Sequence, residues 1–464
     1  MAESNTETAM VISRGTSFLD QLATFLADLR LRLAEPDPSL QRQLRLVWLD
    51  TAATAIANLS EPELVALQEQ YGRLSPGEHR LPGFHTALSP AASALVLAAS
   101  CCWDELVEGF APAHGRPALH AVPLCLSLGR SLDSRLDKAL EALLLAYELG
   151  ARLGECYRVP PGEHVDGTWG TAVASLAAAV MLEIGSSGER RAVSAALCQM
   201  SRSLFAPVQE GASCRLLYPG LAASRGLDLA VAAAAGWRGS EALDHDPVLL
   251  ALKAMPLDLA PRSSLAISGG YVKLLPGARH LHYAAEAARL WRQRHGPVRD
   301  LDSSPESLEG AGPIQVRTYP EAIHYCGQRA PANRIQAQFS LAFAVAASLR
   351  WGELHREQFT PEALGDAGLQ ALMRRIHLVA AAGESGRWAE VTLADARGHS
   401  QSTRVDGLPG DPSQPITEEA RLAKARDLME PVLGGGDSGA LIEHWLEAAG
   451  SSPLWPLRAG CRRD

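Results

Sequence analysis

Four groups of residues hold the side chains that could do chemistry. Trp103-Asp104 is followed ten residues on by His114, with Arg116 and His120 beyond it. His164 stands three residues before the turn Gly167-Thr168-Trp169-Gly170. Arg215-Leu216-Leu217-Tyr218-Pro219-Gly220 runs into a helix start, with Arg225 further in, and Lys273-Leu274-Leu275-Pro276 is followed by His280 and His282. These are residue types for moving protons and holding anions: imidazole titrates near neutrality, and lysine and arginine carry positive charge. Taken singly each group has an ordinary reading, with His280 and His282 as surface residues opening a helix and Arg215 and Arg225 as solvated cations. No His-x-x-x-His helix or Cys/His quartet offers a metal site. Gly269-Gly270 lacks the spacing of a dinucleotide fingerprint, and Gly434-Gly435-Gly436 reads as a helix stop, so a site without metal or cofactor is the simplest reading.

Helices must position these groups. Segments 18–33 and 44–59 carry apolar residues three and four apart, the period of amphipathic helices. Segments 90–103, 118–128, 135–153, 168–184, 189–205 and 220–236 read as helices rich in Ala and Leu. Strand-like alternation is almost absent before residue 300, which makes the first part an all-helical domain packed through small side chains. Gly167 and Gly170 let backbone approach closely, so His164 sits at the mouth of the small-residue helix that follows.

The pattern changes after Leu265, where Ser268-Gly269-Gly270 reads as a hinge. Residues 314–318 alternate, as do 391–393, and the turn 395–398 leads to a further strand over 402–405. Between them 333–351, closed by Gly352, reads as a helix, and Thr360-Pro361 opens another. Segment 407–413 is a linker, and Thr417-Glu418-Glu419 caps a return to helix through Met429. The expected fold is mainly α: a helical domain over 1–267, a smaller α+β lid over 268–412, and helices over 413–464 that pack back on the first domain.

Of the 464 residues, 47% are hydrophobic and 20% charged, ordinary for a globular enzyme. A net charge of −9 with no basic run speaks against nucleic acid as a partner. The apolar stretches fall short of a membrane span, and residues 1–16 lack the basic start and apolar core of a signal peptide. Eight cysteines without a Cys-x-x-Cys pair fit a reduced, cytoplasmic setting.

The same groups fall in the order of a known family. The chain resembles the MmgE/PrpD family, which includes 2-methylcitrate dehydratase, cis-aconitate decarboxylase and an iminodisuccinate epimerase. Leu49-Asp50-Thr51, Ala146-Tyr147-Glu148 with Arg152-Leu153-Gly154, and the turn from His164 to Gly170 resemble its first-domain motifs. Lys273, Pro276 and His282 fall at the spacing of its Lys-x-x-Pro…Thr-His segment. Gln338-Phe339-Ser340-Leu341 with Ala344-Val345-Ala346, and Gln358-Phe359-Thr360-Pro361, resemble later motifs. The resemblance implies a site between helical domain and lid, and a homodimer. It implies that His114 and Asp104 are a catalytic histidine and the aspartate before it, that His164 is a site histidine, that Lys273 faces substrate carboxylates, and that Tyr325 is a lid tyrosine.

Two departures stand out. The family's Met-Asp-Phe-Asp-Asp segment is here Trp103-Asp104-Glu105-Leu106-Val107, and Arg215 and Tyr218 replace a lysine and a histidine. Arginine stays charged at any working pH, so Arg215 is expected to clamp a carboxylate and not to transfer a proton. The expected activity is a cofactor-independent lyase of the dehydratase type that abstracts an α-proton from a small (poly)carboxylate or hydroxy acid. Catalysis would fall to His114, His164, Asp104 and Lys273, and substrate binding to Arg215, Tyr218, Tyr325 and His282. An isomerase, decarboxylase or cyclase of a specialised pathway shares the same intermediate. A catalytically silent acid-binding relative is the remaining alternative, against which the retention of His114, His164 and Lys273 speaks.

Overall fold

Segments rich in alanine can be buried on every side, and this decides the centre of the first domain. The computed structural model describes residues 17–298, 312–395 and 397–456; residues 1–16, read above for a targeting signal, lie outside them. Its helices are α1 (Phe18–Ala34), α2 (Pro38–Ile56), α3 (Pro62–Leu74), α4 (Pro90–Trp103), α5 (Pro117–Ser131), α6 (Leu136–Cys156), α7 (Gly170–Met181), α8 (Gly185–Leu197), α9 (Ala206–Glu210), α10 (Tyr218–Ala234) and α11 (Pro247–Leu252). Every residue of α7 is buried, and α7 packs against α5, α6, α8 and α10. The outer α1 is one-sided, burying Phe18, Leu22, Phe25, Leu26 and Leu29. Ser17, Asp37 and Ser89 cap α1, α2 and α4 by accepting backbone N–H bonds.

Several elements of this domain differ from the sequence reading, including the short helices α9 and α11, which it did not give. Helix α3 buries only Leu64 and Gln68, too thin a stripe to show as periodicity. The helix expected over 189–205 begins earlier and stops at Leu197. Beyond it β2 (Ser203–Leu204) pairs antiparallel with β1 (Glu163–His164), so the stretch around His164 is pinned by a short ladder.

The α+β part around a second core, called the lid below, begins beside the helical part. Tyr271 exchanges backbone hydrogen bonds with Gly109, and Val272 N–H donates to Gly410 O at 2.8 Å, so entering and leaving strands run together. Helix α12 (Arg279–His295) lies across β5 (Ala389–Ala394) and β6 (Ser400–Val405). The sheet runs β4-β3-β5-β6, with β3 (Ile314–Thr318) parallel to β4 (Ile376–Ala380) and the other pairs antiparallel. The turn before β6 contains residue 396, outside the described residues. Strand β4 follows the helix Ala367–Arg375 with no Gly or Pro between, which hides it in the sequence. The helix expected over 333–351 is two, Arg334–Ala337 and Leu341–Trp351, because Ser340 breaks the run and caps the second by accepting from Phe343 N–H.

After the lid, Glu418–Leu433, capped by Thr417, and Gly435–Glu447 pack on α2. Trp445 meets Trp48 edge to face with centroids 6.3 Å apart. Leu428, Met429, Leu441 and Trp445 therefore share one core with Leu44 and Trp48, while Trp291, Phe343 and Val391 belong to a second core in the lid. No helix among the described residues is long and apolar enough to cross a membrane.

Candidate active site

The loop after α4 supplies the first wall of a cavity of about 430 Å³ between the two cores. Glu105 and His114 both adopt left-handed backbone, at φ 53° and 51°, and only Asp133 and Glu183 share this among the described non-glycine residues. Such conformations persist where surrounding structure imposes them. Here Phe110 N–H donates to Gly115 O, and Gly109 is held by Tyr271. On the facing turn Gly167 takes φ 88°, and a Cβ on Gly170 would strike the His120 ring.

Charges on this wall are matched inside the protein. Arg116 donates to Glu105 Oε2 at 2.8 Å, to Asp166, and to Cys102 Sγ at 3.4 Å. Arg215, fully buried, donates to the other oxygen of Glu105 and lies 5.2 Å from the Phe339 centroid. Lys273 Nζ donates to Glu105 O at 2.7 Å and Gly277 O at 3.3 Å, with Glu105 Oε2 at 3.5 Å. Burial opposes ionisation of Glu105, but Arg116, Arg215 and Lys273 outweigh it and hold its pKa at about 2. Asp166 is likewise held well below the usual range, its burial overridden chiefly by Arg116. Burial, with help from Arg116 and Arg279 and against Glu105, brings Lys273 down to about 8.

Cys102, Glu105 and Asp166 are the group among the described residues that could converge on a metal ion. The Arg116 guanidinium donates to all three, so a cation of the protein already fills their centre.

His164 lines the same cavity, stacked on Phe205 with centroids 6.0 Å apart. Its Nδ1 accepts from Asp166 N–H at 3.1 Å, which places the ring proton of the neutral form on Nε2. Burial lowers its pKa to about 4 despite Asp166, so at neutral pH it is a hydrogen-bond donor and not a cation.

The opposite wall belongs to the lid. His280 Nδ1 is 2.8 Å from the Tyr319 hydroxyl, and its ring stacks on Tyr325 at 5.3 Å. Burial, reinforced by Arg387 and His114, lowers its pKa to about 3. Tyr325 meets Phe205 edge to face at 5.4 Å, and Phe205 meets Phe339 at 6.0 Å, which makes a continuous aromatic wall from His280 to His164. His114 Nδ1 lies 3.8 Å from Glu321 Oε1 of the lid, within ion-pair distance of that carboxylate.

Of the eight residues given a role from sequence, His114, His164, Lys273 and Tyr325 line this cavity, and Arg116 and His280, noted there without a role, line it too. The other four lie outside its lining. Asp104 is buried against Arg334 at 2.8 Å and Arg356 at 3.5 Å. Arg215 is paired with Glu105 through one Nη, while its Nε and other Nη are buried with no hydrogen-bond partner among the described residues. Tyr218 sends its hydroxyl to Leu204 O at 3.0 Å, although its ring is 5.9 Å from His164. His282 Nε2 pairs with Pro276 O at 3.1 Å, bracing the turn after Lys273. The sequence reading missed Glu105 and Asp166, which stand beside Asp104 and His164 and could have been suspected from that adjacency. Arg279 and Arg387, also in the lining, carry no motif.

Two family models match the chain. The MmgE/PrpD N-terminal domain matches residues 20–247, and the MmgE/PrpD C-terminal domain matches 276–447. Among curated proteins nothing matches.

Proposed function

Because the chain belongs to the MmgE/PrpD family, we propose that it is a lyase of the dehydratase type acting on a small carboxylic or hydroxy acid. The observation that carries this reading is the convergence of His114 and His164 on one cavity with Lys273, although the three lie far apart in sequence. His114, with Glu321 behind it, is the base that removes the proton next to the substrate carboxylate. A cation of the cavity holds that carboxylate and stabilises the enediolate that forms. His164, donating through Nε2, hydrogen-bonds the β-hydroxyl. His114 then returns its proton to that hydroxyl, the C–O bond breaks, and water leaves with the double bond formed.

His114 and His164 carry the proton and the hydrogen bond, so no step requires a metal or organic cofactor, and treatment with a chelator should leave turnover unchanged. Asp104, Arg215, Tyr218 and His282 act as positioning residues in this scheme, through the contacts given above. We further propose a homodimer, as the family resemblance implies, and a cytoplasmic setting, which the free thiols Cys101 and Cys102 suit.

Incubation in deuterated water with a panel of hydroxy and unsaturated acids tests the reaction. Deuterium at the α-carbon together with loss or addition of water is the expected result. Exchange without water loss points instead to epimerisation or isomerisation, and binding without exchange points to a silent relative.

A further inference from the structure

Nearly every cation around the cavity already has its counter-charge. Glu105 takes up Arg215, Arg116 and Lys273, and Asp166 takes the remaining edge of Arg116. Arg279 is bound to Asp411. Arg158 also lines the cavity and has no acidic partner among the described residues, but it is exposed, where water and salt weaken its charge.

Arg387 differs from all of these. It stands between β4 and β5, lines the cavity, is half-buried, and makes no hydrogen bond or ion pair among the described residues. Its electrostatic neighbours are Tyr319, Tyr271, Tyr283 and Glu321. Glu321, the acid among them, lies beyond ion-pair distance and sits beside His114. A half-buried guanidinium in a concave site with no protein partner is a place kept for an anion.

The reverse holds for the opposite wall. A second or third carboxylate placed there would meet Glu105 and Asp166, whose negative charge already satisfies the cations, and would be desolvated without a partner. What the cavity offers instead is the aromatic face formed by Tyr325, Phe205 and Phe339. Its volume of about 430 Å³ lies within the range of sites for drug-sized ligands, more than a compact acid fills.

Resting on the acid-binding reading above, we infer that the substrate is a monocarboxylate, that Arg387 receives its carboxylate, and that an apolar or aromatic body lies along Tyr325, Phe205 and Phe339. With the carboxylate on Arg387, its α-carbon falls on the side of the cavity where Glu321 faces His114, the proposed base.

Calorimetric titration of the full chain with 3-hydroxy-3-phenylpropanoate, malate and citrate as probes tests this. The phenyl monoacid should bind at least about 10-fold tighter than either polyacid. Arg387→Ala should weaken its binding about 10²-fold, the scale of losing one partner of a desolvated charge pair. Arg387→Lys should retain part of the affinity, and Arg158→Ala should change it less than about 3-fold, the scale of a screened rim charge. Melting curves establish that each variant is folded, and the Lys variant reports on the charge if the Ala variant is not. Tighter binding of malate or citrate, or unchanged affinity in a folded Arg387 variant, overturns this inference alone, since α-deuteration by those acids would leave the proposed activity standing. Failure of every acid to bind overturns both.

Discussion

The two walls of the cavity solve opposite problems. On the first-domain wall Arg116, Arg215 and Lys273 crowd around Glu105 and Asp166, and nearly every charge is spent within the protein. On the lid wall Arg387 is left unpaired among the described residues, and Glu321 stands 3.8 Å from His114 of the first-domain loop. A buried network whose charges are matched is expensive to disturb, whereas a partly exposed group without a counter-charge is free to meet a ligand. Chemistry is therefore expected from the loosely held groups, and shape from the tightly held ones.

The sharpest way to break this contrast is to change one residue from each set. His114→Gln removes the proposed proton carrier from an exposed position, and turnover should fall by roughly 10² to 10⁴ with little change in substrate affinity or melting temperature. Steady-state kinetics beside a direct binding measurement decide it, and a large loss of stability instead would place His114 in the structural set. Glu105→Ala attacks the other set. It leaves Arg215 and Lys273 without a carboxylate and Arg116 with Asp166 alone, and denaturant unfolding should show a loss of about 3–5 kcal/mol. A folded, equally stable variant would mean that the network is not what holds this wall.

Lys273 sits between the two sets, matched to Glu105 yet lining the cavity, and its pKa near 8 makes its charge testable. Should that charge support the enediolate, turnover falls as pH rises through about 8. In Lys273→Arg the fall should vanish from the accessible range, because a guanidinium keeps its proton. An identical limb in both proteins would assign it to another group.

The smallest effect concerns His164. The unfolded chain protonates this imidazole from about pH 6.5 downward, whereas the folded protein refuses the proton until about 4. Between these values the unfolded state binds more protons, so this residue's contribution to stability declines as pH falls. His120 acts in the same sense, and Glu108, raised to about 8 by burial, acts in the opposite one. The test is thus a difference: His164→Asn should show a shallower loss of stability between pH 6.5 and 4 than the unaltered protein. Equal slopes would mean that the ring is not kept neutral.

Helix positions were legible wherever burial is one-sided or complete over several turns. The segment 90–103 coincides with α4, and 314–318 with β3. Thin stripes and breaks inside apolar runs were not legible. Helix α3, strand β4 and the break at Ser340 depend on what packs against them, and local spacing carries no record of that. His114, His164 and Lys273, which line one cavity, could be picked out as candidates because residue type and order survive in one dimension.

What the sequence by itself determined was the helical character of the first domain, the change of pattern after Leu265 and the presence of imidazoles and cations in a recognisable order. Only the tertiary structure decided which charges remain available. Arg215 and Arg387 are the same residue type, yet one is buried on Glu105 and the other faces the cavity without a partner among the described residues. The physical reason is that a charge is neutralised by whatever lies within a few ångströms of it, and those neighbours come from segments more than a hundred residues apart, as with Glu105 and Arg215.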